Sequence, residues 1–141
     1  MRRGIDGLRE LAAGIHHAIL ATRGLAAALD ALAARLPFPL ELEIAPVELA
    51  GPIEASVYFF CSEALANAAK HAQAQSAHVK IAVSDGRLAV QVSDDGSGGA
   101  DTTAGGLAGL RDRIAALDGT LEVNSPPSGG TTLTARIPLG L

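Results

Sequence analysis

Apolar residues recur with helical spacing in four stretches of the chain and alternate with polar residues in five shorter stretches. Apolar positions at i, i+3 and i+4 are typical of an amphipathic helix, whereas strict alternation is typical of a half-buried strand. The pattern predicts helices over residues 5–20, 23–36, 52–72 and 107–117 and strands over residues 38–44, 79–83, 88–92, 120–124 and 131–138.

The order of these elements predicts the fold class, because hairpins join the later strands while the helices gather elsewhere. We expect an α/β fold, a two-layer sandwich with about three helices on one face of a mixed, mostly antiparallel five-stranded sheet. An extra N-terminal helix precedes it. Turn residues support this division: Pro37 ends the second helix, Pro52 suits the first turn of the third, and Asp85-Gly86 is a hairpin signal. Asp118-Gly119 is expected to end the last helix.

The N-terminal helix has an apolar stripe without an obvious partner in so short a chain, so it resembles a bundle helix whose partner is missing or belongs to another chain. His16 and His17 lie near its end. Neighbours on a helix point about 100° apart, so these two imidazoles cannot easily share one metal ion. Neither is followed by an acid that could accept its proton.

Composition narrows the function classes. At 141 residues the chain has the length of one domain, and its net charge of −4 without a basic run argues against a nucleic-acid partner. Nothing resembles a signal peptide, and no apolar run reaches the roughly 18–20 residues that span a bilayer, so we expect a soluble, cytoplasmic protein. Cys61 is the single cysteine and lies on an apolar helix stripe, where we expect it to be a small buried hydrophobe.

The third helix has a polar face of unusual composition. Glu63, Asn67, Lys70 and His71 fall within an arc of roughly 100°, opposite a continuous apolar stripe. A carboxylate, an amide, an amine and an imidazole together can orient water, hold a divalent cation and bind phosphate oxygens. Taken alone, this face can equally be an ordinary solvated surface.

Three glycine-bearing segments follow, each at the end of a regular element: Asp94–Gly98, Gly105–Gly109 and Gly129–Thr131. Glycines let a ligand approach the backbone closely, and a carboxylate beside them can accept a hydrogen bond from an exocyclic amine. The second segment enters a helix, whose free N–H groups and dipole favour an anion. There is neither a Walker loop nor a Rossmann fingerprint, and each segment alone could be only a turn.

In combination, these motifs resemble the four nucleotide-binding boxes of the GHKL ATPases, the superfamily of histidine kinases, gyrase, Hsp90 and MutL. The resemblance covers about residues 51–138 and implies the Bergerat fold. The stretch Gly105–Ile114 is similar to the NarL-partnered class of bacterial sensor histidine kinases. Gly14–Leu20 resembles the end of the second dimerisation helix in that class, although a proline usually occupies the position of His17. The resemblance thus divides the chain into a dimerisation-helix end and linker, residues 1–22, and an ATP-binding catalytic domain, residues 23–141.

The resemblance also implies roles on the phosphate side of the site. Asn67 would bind Mg²⁺ through its side-chain oxygen, and the ion would bridge the phosphates of ATP or ADP. Glu63 would orient water or the metal shell, so these two residues are the candidates for catalysis. Lys70 and His71 would contact phosphate or ribose. The remaining nucleotide-binding candidates on this side lie at or next to the start of the helix predicted over residues 107–117, namely Gly106, Leu107 and Gly109.

On the adenine side, Asp94 would accept a hydrogen bond from the adenine amino group. Gly96 and Gly98 would allow close approach of the base, and Thr131 would support the adenine end through water. Residues 97–106 would form a lid over the nucleotide, and they are the interior segment that we expect to be flexible.

The resemblance therefore implies the catalytic domain of a two-component sensor histidine kinase. It would transfer the γ-phosphoryl group of ATP to a histidine outside this chain, for relay to a NarL-type response regulator. The phosphoacceptor histidine of the family is followed by an acid and has no counterpart here, so we expect a fragment that does not autophosphorylate alone. We expect a dimer in the full protein and a monomer or weak dimer for this chain alone, and the resemblance is compatible with a membrane-anchored parent kinase.

Two alternatives to this prediction remain at this point. The chain could be an anti-sigma-factor kinase of the same superfamily, which phosphorylates serine on a protein partner. It could also be a non-catalytic nucleotide-binding regulatory module, although the intact Glu63, Asn67 and Asp94 weigh against that.

Overall fold

The computed structural model describes residues 24–70, 74–96, 105–126 and 129–139. The chain divides into two compact units, Met1–Arg35 and Leu36–Leu141. In the first unit, the described residues form helix α1, Leu25–Ala33, with Leu25, Ala28 and Leu29 buried. The predicted helix over residues 5–20, with His16 and His17, lies outside the described residues.

Helix α1 ends earlier than the pattern predicts. Its last turn closes with the N–H of Arg35, which donates to the carbonyl oxygen of Leu32 at 3.0 Å. Leu36 precedes Pro37, and the residue before a proline avoids the helical conformation because of a clash with the proline ring. The predicted extension to residue 36 is therefore wrong by three residues.

The second unit holds a five-stranded sheet in the order β1-β2-β3-β5-β4, with β1 parallel to β2 and all other pairs antiparallel. This confirms the predicted α/β class with a mixed, mostly antiparallel sheet. The elements are β1 Leu40–Ile44, α2 Gly51–Lys70, β2 Ala77–Ser84, β3 Arg87–Asp94, α3 Gly105–Ala115, β4 Thr120–Asn124 and β5 Thr131–Pro138.

The hairpin between β2 and β3 sets the register that places Asp94 at the end of β3. Asp85 and Gly86 have φ angles of 55° and 72°. Both are left-handed, as a two-residue type I′ turn requires. The pairing runs unbroken from Ser84 opposite Arg87 to Ala77 opposite Asp94. Both strands are longer than predicted, so Asp94 is the last residue of β3, whereas the sequence placed it beyond the end of the strand.

Alternation along the strands gives the sheet one apolar face and one mainly polar face. Helix α2 packs on β3, α3 packs on β4 and β5, and the two helices contact each other. The stripe predicted for α2 is buried, including Val57, Phe60, Cys61 and Leu65. Each large aliphatic side chain buried in this way contributes roughly 1.5–3 kcal/mol. The buried residues of the sheet are Ala77, Val79, Ile81, Leu88, Val90, Val92, Leu121, Leu133, Thr134, Ala135 and Ile137.

The end of α3 shows why a glycine follows it. Asp118, not Gly119, takes the left-handed position, with φ of 60°. A Cβ on Gly119 would lie 2.6 Å from the carbonyl oxygen of Arg136 and 2.8 Å from Cγ2 of Ile114. The sequence located the end of the helix within two or three residues, but this glycine serves close packing against β5 rather than backbone conformation.

Candidate functional site

The polar face of α2 supplies the first candidate side chains. Glu63 and Asn67 are half-buried, one helical turn apart, and Lys70 in the last turn is exposed. The apolar side of the helix, which includes Ala64 and Leu65, is buried in the core. The position of this face is therefore set by apolar packing. His71 lies outside the described residues.

A cation–aromatic contact joins α2 to α3 close to this face. The guanidinium carbon of Arg113 lies 3.9 Å from the centroid of the Phe59 ring. Phe59 precedes Glu63 by four residues and so lies one turn before it on the same side of α2. A guanidinium stacked on an aromatic ring contributes about 0.5–1 kcal/mol at an exposed position. This contact helps to hold the two helices in register near the candidate residues.

Asp94 stands at the end of β3, on the same face of the sheet as the buried Val90 and Val92. Its Oδ1 accepts a hydrogen bond of 2.8 Å from the N–H of Gly96. Burial raises the pKa of Asp94 above its ordinary value, the Gly96 N–H acts in the opposite direction, and the charge of Asp95 raises it further. The result is a half-buried carboxylate with a fixed orientation, suited to accepting a directed hydrogen bond.

The start of β5 lies against Asp94. Thr131 is directly opposite Asp94 in the antiparallel register. The Thr131 hydroxyl is 2.7 Å from the hydroxyl oxygen of Ser125. Gly130 has φ of 76°, and a Cβ there would lie 2.5 Å from the carbonyl oxygen of Asp94. Only glycine fits this place, and the fit holds Thr131 beside Asp94.

Asp95 has a different environment, which the motif did not predict. Its Oδ1 accepts from the N–H groups of Gln75 and Ser76 at 2.8 and 2.9 Å, and its Oδ2 accepts from the Ser76 hydroxyl at 2.9 Å. These hydrogen bonds lower the pKa of Asp95, although its carboxylate is exposed. Sequence reasoning could find the carboxylate next to Asp94, but no local signal pointed to a partner 19 residues upstream.

A cavity of about 510 Å³ opens beside these two aspartates. Residues from the first three strands and their ends form its wall: Pro39, Glu41, Ser76, Ala77, His78, Ser93, Asp94 and Asp95. The cavity reaches the polar face of the sheet, where His78 lies 3.1 Å from Glu43. It therefore lies mainly on the side of the sheet away from α2 and α3, and only its edge meets the predicted residues.

The second glycine segment, Gly105–Gly109, forms the start of α3. Gly105 and Gly106 are the first helical residues, so this helix begins two residues earlier than predicted. Leu107 is buried, and a Cβ on Gly109 would meet no atom within 4 Å. Packing within the described chain therefore explains Leu107 but does not require a glycine at position 109. Gly98 and most of the predicted lid lie outside the described residues.

The structure thus brings Asp94, Gly96 and Thr131 together at one end of β3 and β5. It places Glu63 and Asn67 on α2, which packs on β3. The part of the chain that the structure describes has no group of three or more His, Cys, Asp or Glu side chains that could hold a metal ion. The Asn67 amide and the Glu63 carboxylate are hard oxygen donors of the kind that Mg²⁺ accepts alongside water and phosphate oxygens. None of the helices in the described ranges has the length and apolar character needed to cross a membrane.

Comparison with known proteins assigns this arrangement to a family. Residues 53–141 match the family described as histidine kinase-, DNA gyrase B-, and HSP90-like ATPase. The histidine-protein kinase/phosphatase DegS of Brevibacillus brevis is 34% identical over 91 residues, which are 62% of this chain and 24% of that protein. The oxygen sensor histidine kinase NreB of Staphylococcus carnosus is 35% identical over 92 residues, which are 62% of this chain and 26% of that protein. The chain thus spans about a quarter of the length of these relatives.

Solved structures show the same fold. The ATP-binding domain of PrrB from Mycobacterium tuberculosis superposes with a TM-score of 0.63 at 26% identity, and the match covers 80% of this chain and 92% of that one. The share of that domain that is matched indicates that the sheet and helices described above correspond to a nearly whole domain of this kind.

Proposed function

Because the chain belongs to the histidine kinase-, DNA gyrase B-, and HSP90-like ATPase family, we propose that this ATP-binding domain of a sensor histidine kinase transfers the γ-phosphoryl group of ATP to a histidine outside the chain. The observation that carries the proposal is the arrangement around Asp94. A half-buried carboxylate, oriented by the Gly96 N–H, faces the start of β5 across a contact that only Gly130 permits.

On the adenine side, Asp94 accepts a hydrogen bond from the exocyclic amino group of the base. The Gly96 N–H, donating to Oδ1, keeps the carboxylate from rotating away. The Thr131 hydroxyl, held 2.7 Å from Ser125, lies opposite Asp94 and supports the base through water. A guanine presents a carbonyl oxygen instead of this amine, so the same carboxylate disfavours it. Gly96 and Gly98 leave room for the base.

On the phosphate side, the Asn67 side-chain oxygen would ligate Mg²⁺ and Glu63 would orient water or the metal shell. Mg²⁺ binds hard oxygen atoms, keeps several waters and takes further ligands from substrate phosphates, so it needs few ligands from the protein. Lys70 and His71 contact phosphate or ribose. The phosphates also meet the start of α3, where Gly106, Leu107 and Gly109 present the N-terminal end of a helix to negative charge.

Catalysis of phosphoryl transfer depends mainly on how the reacting groups are positioned. Phosphoryl transfer is catalysed by alignment of the attacking and leaving oxygens and by neutralisation of charge, with little covalent work for the protein. When bound, Mg²⁺ supplies part of that neutralisation. The chain itself binds the base and holds the polar face of helix α2 toward the phosphates, and residues 97–106 would form a lid over the nucleotide. The attacking imidazole nitrogen comes from a dimerisation domain that presents a histidine.

The N-terminal residues and the partners complete the proposal. Residues 1–22 are the end of a dimerisation helix and a linker, residues 23–141 are the catalytic domain, and the parent kinase is a dimer. The phosphoryl group passes from the histidine to a response regulator of the NarL type. This assignment of the partner is supported by the resemblance of Gly105–Ile114 to that kinase class.

Two measurements test the proposal in sequence. Calorimetry should show ADP binding that strengthens with Mg²⁺. Radiolabelled ATP, incubated with this chain and a separately supplied dimerisation domain that carries a phosphoacceptor histidine, should give acid-labile, base-stable phosphate on the dimerisation domain only. Acid-stable phosphate on serine would support an anti-sigma-factor kinase instead, and no nucleotide binding at all would contradict the proposed function.

A further inference from the structure

Asp95 makes more hydrogen bonds than an exposed carboxylate usually does. Its two oxygens accept three, from the Gln75 and Ser76 N–H groups and the Ser76 hydroxyl, at 2.8 to 2.9 Å. Its own N–H donates to the carbonyl oxygen of Ser76 at 3.3 Å. Hydrogen bonds to an ionised acceptor are shorter and roughly twice as strong as those between neutral groups. Three bonds to the ionised carboxylate and one backbone bond thus join residues 75–76 to the end of β3.

The segment that Asp95 fixes belongs to the other half of the site. The N–H of Ala74 donates to the carbonyl oxygen of Ala68 at 3.4 Å, so residues 74–76, the described part of the α2–β2 connector, begin beside the last turn of α2. Asp95, in turn, directly follows Asp94. The Asp95 carboxylate therefore links residues 75–76, which follow α2 in the chain, to the residue next to Asp94.

We propose that Asp95 is a positioning residue that holds Asp94 in the orientation required for adenine recognition by tying the α2–β2 connector to the end of β3. This inference rests on the proposed function, since it assigns Asp95 a part in the same nucleotide site. Asp95 contacts the connector and not the base. It therefore acts through Asp94 rather than as a catalytic residue.

Substitutions of Asp95 and Ser76 can separate the effect of these hydrogen bonds from the effect of the Asp95 charge. In Asp95→Asn, the amide oxygen still accepts from the two N–H groups, and the amide NH₂ donates to the Ser76 hydroxyl, which can act as an acceptor. That variant keeps the hydrogen bonds and loses only the charge. Asp95→Ala loses all three bonds to the carboxylate, and Ser76→Ala loses only the bond to Oδ2.

The test compares ADP with IDP, whose hypoxanthine base has a carbonyl oxygen in place of the adenine amine. Calorimetry on the full chain, at a temperature where circular dichroism shows each variant folded, gives the ratio of the two dissociation constants. We expect the wild type to prefer ADP by about tenfold or more, as for a hydrogen bond to a charged acceptor. Asp95→Asn should keep this preference within about twofold, and Asp95→Ala should lose most of it.

A general loss of stability would not move this ratio, because both dissociation constants are measured on the folded chain. Ser76→Ala should lower the preference about threefold and keeps the test valid if Asp95→Ala does not fold. A preference that is unchanged in both Asp95→Ala and Ser76→Ala would overturn the positioning role, and so would its loss in Asp95→Asn to the level of Asp95→Ala. A wild type that binds neither nucleotide would overturn the proposed function, and the inference with it.

Discussion

Gly130 lies so close to the backbone of Asp94 that a Cβ at this glycine would stand 2.5 Å from the Asp94 carbonyl oxygen. Thr131, the next residue, pairs with Asp94 across the β3–β5 ladder. The contact joins two segments that are far apart in the sequence and fixes the distance between the carboxylate and the Thr131 hydroxyl. The shape of the adenine side therefore depends on a residue without a side chain.

Gly130→Ala should destabilise the fold and weaken ADP binding. Gly86→Ala is the matched control, because Gly86 has a similar φ of 72° but no atom within 4 Å of its added Cβ. A left-handed alanine costs about 1–2 kcal/mol, which both variants share. The clash at Gly130 should add about 1–3 kcal/mol. Urea unfolding measures the difference, and equal losses in the two variants would contradict the close contact.

Asn67→Ala should remove the dependence of ATP binding on Mg²⁺ and leave the fold intact, since Asn67 is half-buried on the polar face of α2. Calorimetry with and without Mg²⁺ measures this dependence. Ser62→Ala on the same helix is the control, because its hydroxyl donates only to the Phe59 carbonyl oxygen within that helix. An Mg²⁺-dependent affinity that survives in Asn67→Ala would rule out Asn67 as the metal ligand.

Asp94→Asn should weaken adenine nucleotides by about tenfold or more, because an amide in place of the carboxylate loses a charged acceptor. The Gly96 N–H can still donate to the asparagine oxygen, so the local turn should persist. Asp85→Asn, in the hairpin at the other end of the β2–β3 pair, removes the same charge far from the site. If a GTP analogue binds the wild type as well as ATP does, the adenine role of Asp94 is wrong.

Acid should weaken ADP binding through Asp94. Burial raises the pKa of Asp94, so its carboxylate takes up a proton at a higher pH than an ordinary aspartate. The protonated group is a poorer acceptor for the adenine amine, and affinity should fall as the pH drops through this raised pKa. Titration of ADP affinity measures the effect. Asp94→Asn shows the contribution of the nucleotide's own titration, and identical pH profiles for the two proteins would contradict the assignment.

Cys61 should not react in the folded chain. It is fully buried in α2, and burial raises its pKa to about 12 from 9.0, which lowers the thiolate fraction about a thousandfold near neutral pH. A thiol reagent such as Ellman's reagent should modify the protein only after denaturation in urea, with Cys61→Ala giving the background. Equal rates in the native and denatured protein would show that the core around α2 is open.

Much of the fold followed from local patterns. Strands β4 and β5 lie where alternation predicted them, and the Asp85-Gly86 turn has the two left-handed residues that its sequence favours. The ends of β3 and α1 were less accurate. Alternation weakens where polar site residues such as Asp94 occupy strand positions, and the apolar spacing of α1 continues past Ala33, where the helix ends.

The sequence predicted some features of the candidate site and missed others. The motif identified Asp94, Gly96 and Thr131 as members of one site, and the structure brings them to one end of β3 and β5. It did not identify the Ser125–Thr131 hydrogen bond or the bonds of Asp95, because the partners of these residues are not specified by spacing along the chain.

The sequence by itself determined the kinds of elements, their order and the two-faced character of α2, because periodicity, turn residues and helix geometry are local properties. Only the tertiary structure decided that β5 lies between β3 and β4, that Gly130 touches Asp94, and that Asp95 binds residues 75–76. These relationships arise from packing and hydrogen bonding between distant segments. Because each of them depends on residues that are far apart in the sequence, none of them produces a repeating pattern along it.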